Sequence, residues 1–321
     1  MWRGANKMKV VFSFFPPTYL REQIINEFPN CHFEFYKKIS ESELKNAEII
    51  VTYGEDLTEK MIASSLHLKW IMVCSAGLEK MPFQVLKEKN ILVTNARGIH
   101  KIPMAEFTLG LMLNHVKRFP ELADLEKQGI WNKKLPLQEL AGKEMLVLGT
   151  GAIGSEIGRL AKSFRMKTNG VNRTGKTVEY FDHIYTISEL NSALATADFI
   201  VSVLPSTRET RYLLDEHHFQ NMKETAVFIN IGRGDLVEEK VLLNAAKQKQ
   251  VSHIYLDVFE KEPLPPEHEF WKLNNITVTP HISSMSKNYL PRAFKILKHN
   301  LSTYIKGRHD FWNVVDLDRG Y

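Results

Sequence analysis

The stretch Lys143-Glu144-Met145-Leu146-Val147-Leu148-Gly149-Thr150-Gly151-Ala152-Ile153-Gly154 decides how the rest of the chain is read. Its first half is a short apolar run of the kind that forms a buried strand, and its second half is a G-x-G-x-x-G turn. The residues that follow, with Ile157, Leu160, Ala161 and Phe164 at helical spacing, read as the helix the turn opens. In that context each glycine has a task. Gly149 makes the tight turn, Gly151 lets the backbone approach a pyrophosphate, and Gly154 lets helix and strand pack closely. Backbone N–H groups at the start of the helix, those of Ala152 and Ile153 among them, would then hold the diphosphate. A ligand-free glycine turn is the competing reading. The preceding strand, the following helix and a second strand ending about twenty residues on favour the dinucleotide.

The end of that second strand bears on which dinucleotide. An acidic residue there would hydrogen-bond the adenosine ribose and repel a 2′-phosphate. The segment reads Gly170-Val171-Asn172-Arg173-Thr174-Gly175-Lys176, with no carboxylate. Asn172, Arg173 and Thr174, with Lys176 nearby, could take a phosphate, so NADP(H) is favoured and NAD(H) remains possible. A solvated basic loop is the alternative.

Working outward, short apolar runs alternate with longer amphipathic ones on both sides of this turn. Lys9 to Phe14, Ile49 to Thr52, Trp70 to Cys74 and Ile91 to Asn95 read as strands of one parallel α/β unit. Pro103 to His115 reads as a helix with proline in its first turn, leading into a second unit. There Lys143 to Gly149, Lys167 to Val171, Phe199 to Leu204, Ala226 to Ile231, Ile254 to Val258 and Ile276 to Thr279 read as strands. The amphipathic segment Lys287 to Ile305 is expected to return to the first unit. The expected division is therefore residues 1–99 plus 286–321 as a discontinuous substrate-binding domain and residues 100–285 as the dinucleotide-binding domain. No short-period repeat or low-complexity tract interrupts it.

Gross properties agree with an ordinary globular chain. Its 321 residues exceed what one core usually supports, and 44% hydrophobic with 25% charged residues is unexceptional. Lys plus Arg number 42 against 37 Asp plus Glu, and the positive charges are dispersed, which argues against nucleic-acid binding and suits a small anionic substrate or a phosphate-bearing cofactor. The two cysteines, Cys31 and Cys74, have neither metal-ligand spacing nor a disulfide framework, so no metal is expected and a cytoplasmic setting fits. The apolar run Val10 to Phe15 is stopped by Pro16 and Pro17, too short for a signal core or a membrane span. Met8 is a candidate natural start.

Three further segments close predicted strands: Asn230-Ile231-Gly232-Arg233-Gly234, Asp257-Val258-Phe259-Glu260-Lys261-Glu262-Pro263-Leu264-Pro265, and Thr279-Pro280-His281-Ile282-Ser283-Ser284. Ligands of open parallel sheets bind at such carboxyl ends. With glycine turn, arginine, glutamate and histidine in this order, the sequence closely resembles the D-isomer-specific 2-hydroxyacid dehydrogenase family over nearly its whole length. Cys74-Ser75-Ala76-Gly77, Pro103-Met104-Ala105-Glu106-Phe107, Leu204-Pro205-Ser206-Thr207 and Asn313-Val314-Val315-Asp316 match as well.

The resemblance implies an α/β protein in which a Rossmann-type doubly wound cofactor domain is inserted into a smaller flavodoxin-like substrate domain, with the active site in the cleft and a homodimer built through the cofactor domains. It implies reversible reduction of a 2-oxo acid by NAD(P)H to a D-2-hydroxy acid. His281 would donate a proton to the substrate carbonyl, Glu262 would hold the imidazole and stabilise its protonated form, and Arg233 would bind the carboxylate and carbonyl oxygens. Backbone N–H groups of Ser75, Ala76 and Gly77 would complete the carboxylate site. Asp257 would fix the nicotinamide carboxamide, and Leu204, Pro205, Thr210, Ile231, Gly232, Arg233 and His281 would line the cofactor.

Singly, each of these residues has a bland reading as surface charge, solvated loop or structural histidine. It is their joint occurrence that carries the assignment. Departures from the family pattern are Arg165, where relatives often have glycine, Ser283-Ser284 in place of a smaller pair, and Glu79 in place of aspartate. Arg97, His100 and Lys101 either face the pocket or belong to a solvated loop. Glyoxylate, hydroxypyruvate, 3-phosphohydroxypyruvate and bulkier 2-oxo acids all remain open as substrates, although without a regulatory domain a feedback-controlled phosphoglycerate dehydrogenase is disfavoured. A rival of another class is a nucleotide-sensing corepressor-like binding protein of the same fold. Such proteins usually carry extended tails, whereas this sequence stops soon after Asp316. A formate-dehydrogenase-like activity fits less well, since that branch lacks the partner Glu262 supplies.

Overall fold

The computed structural model describes residues 7–75, 77, 78 and 80–318. The chain divides into two compact units, Met1–Ile99 with Ser286–Tyr321, and His100–Met285.

The first unit is a parallel sheet of β1 (Met8–Phe12), β2 (Cys31–Phe35), β3 (Ile49–Thr52), β4 (Trp70–Val73) and β5 (Leu92–Asn95), in the order β2-β1-β3-β4-β5. β3 and β4 are buried at every residue, as inner strands of a sheet covered on both faces must be. Alternate side chains serve the two faces. Val10, Phe12, Trp70 and Met72 meet Phe294, Leu297 and Leu301 of the helix Tyr289–Ile305, while Val11, Ile50, Ile71 and Val73 meet Leu44, Ile62 and Leu86. Each fully buried side chain of this size contributes about 1.5–3 kcal/mol. Trp70 keeps its indole N–H satisfied by donating to the Thr94 hydroxyl at 2.9 Å. The chain closes the sheet edge where Val314 bridges Thr94 and the Asn313 side chain donates to the carbonyls of Asn95 and Arg97.

The second unit is a seven-stranded parallel sheet of β6 (Glu144–Leu148), β7 (Lys167–Val171), β8 (His183–Tyr185), β9 (Phe199–Ser202), β10 (Val227–Asn230), β11 (His253–Leu256) and β12 (Ile276–Val278). Its order is β12-β11-β10-β9-β6-β7-β8, so the direction of winding reverses between β6 and β9. That is the order of a dinucleotide-binding doubly wound sheet, and the glycine turn lies at its reversal. Leu146, Leu148, Ile200, Phe228 and Ile254 form the core on one face. Met145, Val147, Val201, Val227 and Ile229 form the other, under the helices Lys101–Val116 and Ala152–Ser163.

The α/β class with two parallel sheets is as the sequence implies. Two edge strands are additional to its pattern. Cys31-His32-Phe33-Glu34-Phe35 mixes charge with aromatics because β2 has a neighbour on one side only, and β8 is three residues long. The departure at Arg165 also finds its physical meaning here. The helix Ala152–Ser163 ends in a Schellman motif: Arg165 N–H bonds Lys162 C=O, Met166 N–H bonds Ala161 C=O, and Arg165 takes φ 59°. Glycine suits that left-handed position, and arginine is held there by the two bonds.

Candidate active site

The loop after β12 begins with Thr279 and carries His281 at φ 53°, a left-handed conformation that a non-glycine residue keeps only when its surroundings hold it. Asp257, at the end of β11 and 1% exposed, supplies that hold. Its Oδ1 accepts from the Thr279 hydroxyl at 2.6 Å and the Ile282 N–H at 3.0 Å, and its Oδ2 accepts from the Ser283 N–H at 2.9 Å. A buried carboxylate stays charged only with such donors around it. The small Ser283 is itself buried at this contact.

His281 Nδ1 lies 2.8 Å from Glu262 Oε2. An ionised carboxylate only accepts, so the imidazole donates from Nδ1 and its Nε2 is the atom left to give or take a proton. Glu262 is fixed in turn, its Oε1 accepting from the Phe259 N–H at 3.1 Å. Both side chains are part-exposed, His281 at 48% and Glu262 at 37%, so a small molecule can reach them. A histidine and carboxylate positioned in this way are able to act in proton transfer.

Arg233 leaves β10 between two glycines with different constraints. A Cβ at Gly234 would overlap the Phe259 carbonyl group, and one at Gly232 would press on the Leu204 backbone. The arginine loop is thus wedged between the loops after β11 and β9. Asn230 braces it, accepting from the Gly232 N–H and donating to the Arg233 carbonyl. The guanidinium donates through Nη1 to the Gly232 carbonyl at 2.9 Å and is half-buried; a guanidinium is the chemical group that suits a carboxylate.

At the glycine turn, a Cβ on Gly154 would overlap the Gly149 carbonyl, so close helix–strand packing requires glycine there. Gly151 differs. A Cβ on it would meet no atom of the chain within 4 Å, so nothing inside the protein demands glycine at that exposed position. The helix that starts at Ala152, with Ile153 part-buried behind it, has no side chain capping its N-terminus. Open space above Gly151 and uncapped N–H groups fit a diphosphate. The arrangement suits a dinucleotide on the residues present.

Asn172 does not wait for a ligand. Its amide donates to Thr150 Oγ1 and the Lys176 carbonyl and accepts from the Thr174 N–H and hydroxyl, which shapes a tight 172–176 loop. Arg173 is exposed on that loop. Glu209 near it has no signature in the sequence. The Thr207 hydroxyl first, and Arg173 and Arg208 through their charge, hold the Glu209 carboxyl below the usual range. Leu204 and Pro205 open the loop after β9, and Thr210 closes it by donating to the Pro205 carbonyl at 2.6 Å. Ile231 is buried beneath the arginine loop.

In the first unit, the Ser75 hydroxyl lies within hydrogen-bond distance of the carbonyls of Tyr53, 3.0 Å, and Gly77, 2.8 Å. Ala76 and Glu79 lie outside the described residues. Arg97 and Lys101 are exposed and His100 is part-buried at the helix start. Among the described residues no group of three or more His, Cys, Asp or Glu could hold a metal ion, and no helix is long and apolar enough to cross a membrane.

Comparison with known proteins adds to this geometry. Residues 109–283 match a family model described as D-isomer specific 2-hydroxyacid dehydrogenase, NAD binding domain. The chain is 31% identical over 261 residues to glyoxylate reductase of Thermofilum pendens, covering 78% of this chain and 77% of that one. It is 31% identical over 268 residues to D-3-phosphoglycerate dehydrogenase of Methanocaldococcus jannaschii, covering 83% of this chain but 51% of that one, and so spans about half its length. A solved structure of a D-isomer specific 2-hydroxyacid dehydrogenase family protein from Aeromonas salmonicida superimposes with a TM-score of 0.85 at 31% identity, over 98% of this chain and 100% of that one.

Proposed function

This chain belongs to the D-isomer-specific 2-hydroxyacid dehydrogenase family, and from that membership we propose that it reduces a 2-oxo acid reversibly to a D-2-hydroxy acid with NADPH as the preferred cofactor. The observation that carries the reading is the His281–Glu262 pair, held at 2.8 Å on a loop that Asp257 fixes by three hydrogen bonds. The nicotinamide, when bound, supplies hydride to C2 of the substrate. His281 gives the proton from Nε2 to the carbonyl oxygen, and in the reverse direction takes it back. Glu262 orients the ring and offsets the charge of its protonated form. Arg233 binds the substrate carboxylate and polarises its carbonyl. The amides of Ser75, Ala76 and Gly77 are assigned to the same carboxylate. Gly149, Gly151, Ala152, Ile153 and Gly154 take the diphosphate, and Asp257, which has one of its roughly four lone-pair sites left, is assigned to the carboxamide.

The preference for NADPH is supported by the missing carboxylate at Asn172 and by Arg173 beside it. One charged hydrogen bond is worth about 1.5–3 kcal/mol, or roughly 10- to 150-fold. Kinetics on a panel of 2-oxo acids with each cofactor test this. The expected result is turnover with kcat/KM higher for NADPH by that factor, largely lost in Arg173→Ala and enhanced in Glu209→Gln. Absence of turnover with every 2-oxo acid overturns the reading; a preference for NADH, or one indifferent to Arg173→Ala, overturns the cofactor assignment. The family's homodimer belongs to the same reading. Molar mass in solution tests it.

A further inference from the structure

The loop that carries Glu262 leaves β11 and passes through Glu260, Lys261, Glu262 and Pro263, all of them exposed. Phe259 on one side of this stretch and Leu264 on the other pack against the core, but the stretch between them does not. What holds it is polar. The ties meet at Glu239, the first residue of the helix Glu239–Lys247, which the chain enters shortly after Arg233.

Before Glu262, the carboxylate of Glu260 bridges two neighbours. Its Oε1 accepts from the Glu239 N–H at 3.0 Å and its Oε2 from the Tyr212 hydroxyl at 2.9 Å. The first bond satisfies an N–H that the helix leaves open, since the preceding Glu238 offers no side-chain cap. Tyr212 stands at φ 52°, a conformation that a non-glycine residue keeps only under constraint, and its N–H donates to the Asp235 carbonyl at 2.7 Å. Glu260 therefore joins the loops that follow β9, β10 and β11.

After Glu262, the Pro265 carbonyl accepts from the His268 N–H at 3.1 Å and from the Trp271 indole N–H at 2.9 Å. His268 is oriented in turn. Its Nδ1 accepts from the Phe270 N–H at 3.2 Å, so the proton of the neutral ring sits on Nε2, which donates to Glu239 Oε1 at 2.7 Å. Glu239 thus holds the Glu262 loop on both sides, by its backbone on one and by its carboxylate on the other. Gly234, beside Arg233, lies so close to the Phe259 carbonyl group that a Cβ would overlap it, and the Phe259 N–H in turn braces Glu262.

We infer that Glu239 and Glu260 are positioning residues for Glu262: their ties keep its carboxylate at bonding distance from His281 and in register with the arginine loop that leads into the same helix. The inference rests on the reductase reading above. A misplacement of about 1 Å can cost about 10²-fold in rate, so ties of this kind act on turnover. Ties that served stability alone would lower the melting temperature and leave the rate per folded molecule unchanged.

The experiment is steady-state reduction, by the full chain at saturating NADPH or NADH, of a 2-oxo acid that the wild type turns over. The folded fraction is fixed by fluorescence titration of the reduced cofactor. Glu239→Ala, Glu260→Ala and Tyr212→Phe are each made alone and in a Glu262→Ala background. Alone, either alanine variant should lower kcat about 10-fold and Tyr212→Phe less, with the dissociation constant of the cofactor unchanged. In the Glu262→Ala background the same substitutions should change kcat by less than about 2-fold, because the group they position is gone. Glu239→Gln keeps an oxygen for His268 and should recover most of the loss. Should an alanine variant fail to fold, Tyr212→Phe decides, since it removes one hydroxyl from an exposed ring. Wild-type kcat in the folded variants overturns the inference and leaves the reductase reading intact. Losses that persist undiminished without Glu262 overturn it too, since the residues then act by another route. Absence of turnover by the wild type with every 2-oxo acid overturns both.

Discussion

At the scale of single residues, the site turns on what holds His281. Two carboxylates act on its loop with different effects, Glu262 on the ring and Asp257 on the backbone around it. His281→Ala should therefore lower kcat by about 10²–10⁴-fold, the usual worth of a general acid, with the dissociation constant of the reduced cofactor changed little. Glu262→Gln removes one charge-assisted bond and should lower kcat by about 10- to 150-fold. Wild-type turnover in either variant, measured alongside cofactor binding by fluorescence titration, would remove that residue from the chemistry. Glu262 and His281 stand out in the sequence only jointly, because they follow the glycine turn and Arg233 in the order of the family that the sequence resembles. The hold that Asp257 exerts does not stand out at all. Its partners are 22 to 26 positions away, and two of them are backbone N–H groups that no residue type announces. Glu209 escaped for a similar reason, since only the folded loop brings its charge towards Arg173.

At the scale of elements, the inner strands and the edge strands β5 and β12 were legible, whereas the edge strands β2 and β8 were not. β3, β4, β9 and β10 are buried at every residue, which forces an unbroken apolar run into the sequence. β2 keeps only Cys31 buried and alternates charge with aromatics, so it looks like the amphipathic segments around it. Helix ends show the same division. The G-x-G-x-x-G start is written in residue types, whereas the Schellman end of Ala152–Ser163 is hidden because arginine stands where glycine would mark it. Left-handed backbone costs a non-glycine residue about 1–2 kcal/mol. Arg165→Gly should accordingly raise the melting temperature by about 1–3 °C. A calorimetric scan that shows no rise would mean that the Arg165 side chain recovers the strain elsewhere.

At the scale of the whole molecule, stability should depend on acidity through histidines remote from His281. Burial first, and then the charge of His115, push His253 down to about 4, and burial also lowers His115. Their rings lie 5.7 Å apart beside Tyr255, with His253 bonded to the Thr277 hydroxyl at 2.8 Å and with Arg118, Lys143 and Glu121 acting on His115. Both are bound neutral in the fold and charge readily once unfolded. Their contribution is therefore complete above an ordinary histidine pKa of about 6.5 and is lost as the pH falls towards 4. The melting temperature should drop between pH 6.5 and 4.5, above the range where lowered carboxylates begin to protonate, and His253→Phe should flatten that limb. An equally steep limb in the variant would place the acid sensitivity elsewhere. The discontinuous first unit has a consequence of another kind, in the order of synthesis. Val10, Phe12, Trp70 and Met72 are covered by Phe294, Leu297 and Leu301, from a helix translated only after all of residues 100–285. At roughly 5–20 residues per second, the nascent sheet waits about 10–40 s with that face bare. The contiguous second unit can finish folding in the meantime, so a ribosome-bound chain would carry a completed domain beside an unfinished one that invites a chaperone.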